Sequence, residues 1–370
     1  MILTRHNVLP YLVQAELFGL DRIVAGRVQV GSRTSRNRAF AVSDARGPGL
    51  FVKQFRPEEG HWNRGSTVES EAQVYRMAAG NDRLEAVIPR LRSFDASHQI
   101  LVLDLVEPAE TLRAHQRRTG HISVSAAAAL GSALATCHVE FGKVLRFGTA
   151  DATAPALPRH RAWILRPDLL DPYVTVSQSA AQAQVVAIVQ RHPDLVDRLR
   201  ALASAWRVNG VIHGDMKWAN CLIGAGGAGP DDHAVRLIDW EMAGSGDVAW
   251  DVGGIFQSCI LAWVRSTRGQ AGDGVGALVA SATVSLDGVQ AAARAFFFAY
   301  LNRIDLDPRA TAALLARSVG YAAARIVQTA FEATSGEALI SGHMVLALQL
   351  AANMLADPAE AAAQVLGIEP

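Results

Sequence analysis

Lysine is nearly absent from this 370-residue sequence: of its 35 basic residues, only Lys53, Lys143 and Lys217 are lysine. Cysteine is as scarce. Cys137, Cys221 and Cys259 are an odd set with no C-x-x-C pair, which excludes a disulfide framework and a cysteine zinc site and fits a reducing compartment. Net charge is missing too, since 35 acids balance the 35 bases. General nucleic-acid binders and polyanion-binding surfaces carry a basic excess. No sustained apolar run opens the chain, and MILTRHNVLPYLVQAELFGL reads as no signal peptide. The apolar stretch ALISGHMVLALQLAANML is broken by Ser341, His343, Gln349 and Asn353, the pattern of an amphipathic core helix rather than a membrane span. Half of the residues are hydrophobic and 19% are charged, enough to bury a full core in two or three domains. The expectation is a soluble cytoplasmic protein with no nucleic-acid or membrane partner.

What is present divides the chain in two. IVAGRVQV and RAFAV flank the polar tip GSRTSRN and predict a β-hairpin; RGPG makes a turn and LFVKQF a further strand. VIPRLRSF and QILVLDLV predict two more, the last apolar enough to be buried on both faces. Between them STVESEAQVYRMAAG predicts a helix, with Ser66 and Glu69 as a capping box, Gly80 as its end and Val68, Ala72, Tyr75 and Ala79 as its apolar stripe. Beyond about residue 106 the chain is mostly helical, apart from a short strand-and-loop piece around 211–239. The run GAGGAG at 224–229 has no P-loop lysine after it and reads as a loose hairpin loop. The predicted boundaries are 1–105 for a strand-rich unit and 106–370 for a helical one.

Chemistry concentrates in VIHGDMKWANCLI and VRLIDWEMAGSGDVAWDVGG. Asp215 and Asn220 stand five apart after an apolar strand, Asp239 ends a second strand 19 residues later, and Asp247 and Asp251 follow. Acids and amides between buried strands are costly unless paired or metal-bound. Phosphoryl transfer from a Mg²⁺-nucleotide accounts for the pattern. It needs one carboxylate to orient the attacking hydroxyl and an oxygen pair to hold Mg²⁺ against the phosphates. His213, Asp215, Lys217 and Asn220 have the H-x-D-x-K-x-x-N spacing of a kinase catalytic loop, with Asp239 in the metal-binding position.

HGDMKWAN, IDWE and GDVAWD resemble the signature of the aminoglycoside phosphotransferase and choline kinase family. The resemblance runs from the hairpin near 23 to about 260. It implies an α+β, bilobal protein-kinase-like fold: a small antiparallel-sheet N-lobe with one helix, and a larger, mostly helical C-lobe. It implies ATP and Mg²⁺ as cofactors, Asp215 and Lys217 as catalytic residues, and Asn220 and Asp239 as metal ligands. It also implies that Lys53 touches the α- and β-phosphates with a helix glutamate as partner. Glu71 borders the inward apolar stripe whereas Glu69 has a capping use, so Glu71 is the expected partner. The hairpin tip, with Ser32 and Ser35, is expected over the phosphates, and backbone groups of Asp104–Val106 against adenine. His213, Asp247 and Asp251 are expected to brace the catalytic loop. Arg159, Arg161 and Arg166, around Trp163, are read as a solvated basic loop.

The acceptor is less fixed. Lys217, two residues after Asp215, favours a peptide Ser/Thr hydroxyl, as in ribosomal-peptide modification with a partner lyase. The alternatives are a small molecule, such as an aminoglycoside or amino alcohol, and a non-catalytic kinase-like binding subunit. From Ile255 onward nine acids face seven arginines, a balance that argues against a polycation site.

Overall fold

The computed structural model describes residues 1–33, 37–45, 47–55, 68–147, 157–159, 161–166, 179–225, 233–268 and 275–369. The N-terminal part contains α1 (Val8–Gln14), α2 (Leu20–Val24), β1 (Val28–Arg33), β2 (Arg38–Asp44), β3 (Gly47–Gln54), α3 (Val68–Ala78), α4 (Asp82–Glu85), β4 (Leu91–Asp95) and β5 (Ile100–Asp104). The strands form one antiparallel sheet in the order β1-β2-β3-β5-β4. Period-2 alternation sorts its side chains. Val52, Ile100 and Val102 face one core with Leu12 and Phe18 of the α1 region, whereas Leu101 and Leu103 face the other core with Val68, Ala72 and Tyr75 of α3. Lys53, next to Val52, therefore points to the α3 side. β5 is buried on both faces, as its apolar run predicts.

Three local expectations change. Ile23 and Val24 lie in α2, so the first strand starts at Val28; alternation over two residues does not distinguish strand from helix. The sheet carries α1 and α2 besides α3, where one helix was expected. The stripe of α3 runs through Val68, Ala72, Tyr75 and Ala78, with Ala79 exposed. Gly80, at φ +78°, adopts the left-handed turn that ends the helix. Ser66, Ser35 and most of the GAGGAG run lie outside the described residues.

The remainder is β6 (Glu110–Thr111), α5 (Leu112–Thr119), α6 (Val124–Phe147), α7 (Ala180–Gln190), α8 (Pro193–Ser204), β7 (Gly210–Ile212), β8 (Cys221–Ala225), β9 (His233–Leu237), β10 (Gly244–Gly246), α9 (Ala249–Val264), α10 (Val275–Ser281), α11 (Leu286–Leu301), α12 (Pro308–Ala333), α13 (Gly342–Ala356) and α14 (Pro358–Leu366). Small sheets β6-β8-β9 and β10-β7 carry the strand-and-loop piece. By length and composition α6 is apolar enough to cross a membrane, but it lies mostly inside the fold, packed along α11. α9 packs along α12. This is a kinase-like fold, an antiparallel sheet followed by a mostly helical region.

Candidate active site

The β7 strand delivers His213, Gly214 and Asp215 into a loop whose backbone is held from behind. Asp251, at the start of α9, is fully buried, and its two carboxylate oxygens accept the N–H of His213 at 2.6 Å and of Gly214 at 3.0 Å. Burial opposes its charge, but His138 and these donors hold the carboxyl below the usual carboxylate range. His138 bonds Asp251 at 3.2 Å and the Tyr300 hydroxyl at 2.8 Å. Asp247 accepts from the Arg207 N–H, from Arg317 Nε and from the Tyr321 hydroxyl. Both acids face protein rather than open space. His213 is fully buried, with Nε2 2.9 Å from the Ile238 carbonyl and its ring 4.6 Å from that of Trp240.

Asp215 is different: its side chain is 34% exposed. Lys217 Nζ sits 2.5 Å from Oδ2, and Asn220 Nδ2 donates to the Asp215 carbonyl at 2.9 Å. Arg325, from the middle of α12, lies 3.6 Å from Oδ1 and donates to the Met216 and Gly214 carbonyls. Sequence reasoning missed Arg325, and missed Glu241 as a partner of Lys53.

Lys53 is buried under three carboxylates: Glu71 at 2.7 Å, Asp239 at 2.5 Å and Glu241 at 3.0 Å. Glu71 is the α3 glutamate that reaches it. Burial alone would lower the ammonium; the three carboxylates outweigh burial and hold it above its ordinary value. Burial pushes the Glu71 carboxyl up to about 7 even beside Lys53. Asp239 is held down because Lys53 offsets its burial. Its backbone lies in the left-handed region at φ +68°, a strained placement for a residue with a side chain.

One lysine does not balance three carboxylates, so the cluster keeps an excess of negative charge that a divalent cation would neutralise. The donors also fit Mg²⁺, which takes hard oxygen ligands. The Asn220 amide nitrogen is committed to Asp215, leaving its oxygen as the ligand atom, and the Asp239 side chain is 36% exposed.

Ser32 is exposed on β1, and Ser35 lies outside the described residues. At the hinge, the Asp104 N–H donates to the Arg90 carbonyl and the Leu105 N–H to the Gly49 carbonyl. The Asp104 carboxylate is paired with Arg92. Of the expected adenine-facing N–H groups, the half-buried Val106 is the one not engaged among the described residues. In the loop read as solvated, Arg161 donates to the Ala203 carbonyl and Trp163 packs on Phe331, so part of it is anchored.

A cavity of about 580 Å³ opens beside Asp215 and Lys217, walled by α5, α9 and α12. No curated protein sequence matches the chain. In fold it is similar to a choline/ethanolamine kinase family protein from Mesorhizobium loti at 17% identity and TM-score 0.53, the match covering 98% of this chain and 100% of that one. It is similar to the choline kinase of Cryptosporidium parvum at 10% identity and TM-score 0.58, covering 98% of each chain. A third is the amicoumacin kinase hAmiN in complex with AMP-PNP, Ca²⁺ and Ami, at 12% identity and TM-score 0.55, covering 96% of this chain and 94% of that one. Residues 28–278 match the sequence profile of the phosphotransferase enzyme family, and the chain belongs to that family.

Proposed function

We propose that this phosphotransferase moves the γ-phosphoryl group of ATP to a hydroxyl group of a small molecule. The observation that carries the reading is the cavity beside Asp215. At about 580 Å³ it is of small-molecule size. The neighbours of similar fold support it, being named for choline and amicoumacin. A peptide acceptor has no such support, and a partner lyase belongs with that reading.

The roles follow from the geometry. Asp215, open to the cavity, orients the acceptor hydroxyl and takes its proton as the oxygen attacks. Lys217 leaves Asp215 to meet the transferring phosphoryl group, its side chain being 43% exposed. Asn220 and Asp239 would hold Mg²⁺, which supplies charge neutralisation at the phosphates when bound. Lys53, fixed by Glu71, reaches the α- and β-phosphates. Ser32 and Ser35 are assigned to them from the sequence, and the Asp104–Val106 hinge meets adenine chiefly through Val106. The nucleotide-binding lobe is residues 1–105 and the acceptor lobe 106–370.

The test is incubation with Mg²⁺-ATP and a panel of hydroxyl-bearing small molecules and Ser/Thr peptides, following ADP release and phosphorylated product by mass. Phosphorylated peptide with no small-molecule product would overturn the acceptor assignment. Absence of any ATP-dependent product, with no binding of Mg²⁺-AMP-PNP, would overturn the kinase reading itself.

A further inference from the structure

The cavity is lined by five cations, Arg113, Arg117, Lys217, Arg265 and Arg325, against two acids, Asp215 and Glu332. Two of the five are accounted for: Lys217 by Asp215, and Arg325 by Gln257 and the loop carbonyls. Arg113, Arg117 and Arg265 are not. Arg113 and Arg117 stand one turn apart on α5, the spacing at which like charges repel along a helix, and Arg265 caps α9 opposite them. Among the described residues no carboxylate pairs with any of the three. Their neighbour Arg118, on the same helix, does meet a carboxylate, Glu110.

The electrostatics agree. Burial, then Arg117, pushes the Arg113 guanidinium down; burial, then Arg113 and Arg117, does the same to Arg265. Three guanidinium groups gathered on one cavity wall are stable company for an anion and poor company for a cation. Neither Lys53 nor Asp239 lines this cavity, so the arginines stand apart from the groups assigned to the nucleotide phosphates.

We propose that the acceptor is an anionic small molecule, a hydroxyl compound carrying a carboxylate or a phosphate that Arg113, Arg117 and Arg265 bind. This rests on the kinase reading and narrows its substrate class. It also separates this chain from the neighbours named for choline, a cation, because the pocket has the opposite sign. A hydroxyl on the same molecule as the bound anion would be presented to Asp215 across the cavity. The anion itself takes no part in the transfer.

The test uses the full chain and two simple dianions, malonate and methylphosphonate, titrated calorimetrically with and without saturating Mg²⁺-AMP-PNP. At least one probe is expected to bind the wild type saturably, and the preferred probe distinguishes carboxylate from phosphate recognition. Arg113→Glu and Arg265→Glu, both exposed and so compatible with folding, are expected to weaken it at least about tenfold, the scale of one charge-assisted hydrogen bond. Arg265→Lys should restore part of the loss. Arg200→Glu, at an exposed position of α8 that does not line the cavity, should leave binding and activity unchanged. Equal affinity in wild type and both charge reversals, or no binding of either probe, overturns the proposal. So does phosphorylation of a cationic acceptor with kcat/KM unaltered in Arg265→Glu. Failure of the kinase reading is read separately, by the Mg²⁺-AMP-PNP titration of the wild type.

Discussion

Asp215 and Arg325 are 110 positions apart in the sequence yet share one end of the cavity, and they show what spacing does and does not carry at the residue scale. Asp215, Asn220 and Asp239 stand out in the sequence as candidates because phosphoryl transfer demands oxygen donors at fixed offsets on one loop and the strand beside it, with Lys217 as the cation between them. Glu71 was legible because helical periodicity turns it inward and Glu69 away. Arg325 leaves no local signature. It sits among apolar residues of α12, and only the packing of α12 on α9 brings its fork to the Gly214 and Met216 carbonyls. Two outcomes follow. Asp215→Asn should lower kcat about 100- to 10,000-fold, the range of a general base, with the Kd for Mg²⁺-AMP-PNP little changed. Arg325→Gln should lower kcat about 100-fold by loosening the loop, again without altering nucleotide affinity, and Arg325→Lys should recover part of it. Steady-state kinetics beside nucleotide titration checks both; an equal loss of nucleotide binding would assign Arg325 a merely structural role.

At the scale of elements, the loop that carries Asp215 is positioned by the first turns of α9. Gly254 lies so close to the loop that a Cβ there would stand 2.2 Å from the Met216 carbonyl oxygen. Gly254→Ala should therefore displace backbone, costing about 1–3 kcal/mol of stability as overpacking does, with a fall in kcat larger than any change in nucleotide binding. Asp251 acts from the same turn. An amide in its place keeps one acceptor and sets an NH₂ against the other backbone N–H, so Asp251→Asn should cost about 1–3 kcal/mol at neutral pH. Its carboxyl is depressed in the folded state, so the stability it contributes is present above the ordinary carboxylate range, near pH 4, and is lost as pH falls below it. Melting temperatures of wild type and Asp251→Asn should accordingly converge at acid pH. The sequence showed Asp247 and Asp251 as candidates for bracing, but not their donors: His138, Arg317 and Tyr321 come from other helices. The strands were legible where the apolar run was long, as in β5, and misplaced at Ile23, where the alternation was short.

For the whole molecule, net charge was the least informative quantity. The zero total conceals an acid-rich nest around Lys53 and a base-rich cavity beside Asp215, and no count along the chain separates them. Filling the nest should be measurable globally: Mg²⁺-ATP at about 100 times its Kd should stabilise the fold by about 2.7 kcal/mol. EDTA should abolish most of that rise in melting temperature, while a rise that survives EDTA would remove Asp239 and Asn220 from the metal assignment. The shortage of lysine also makes the protein self-reporting. Lys53 is shut away at 3% exposure, Lys143 is half open at 50%, and Lys217, at 43%, stands on the cavity wall. A mild amine-acylating reagent therefore meets two accessible lysine side chains, one remote and one on the cavity wall beside Asp215. The yield at Lys217, normalised to that at Lys143 in the same digest, gives a built-in occupancy gauge for any compound that enters the cavity, with no label or mutation required.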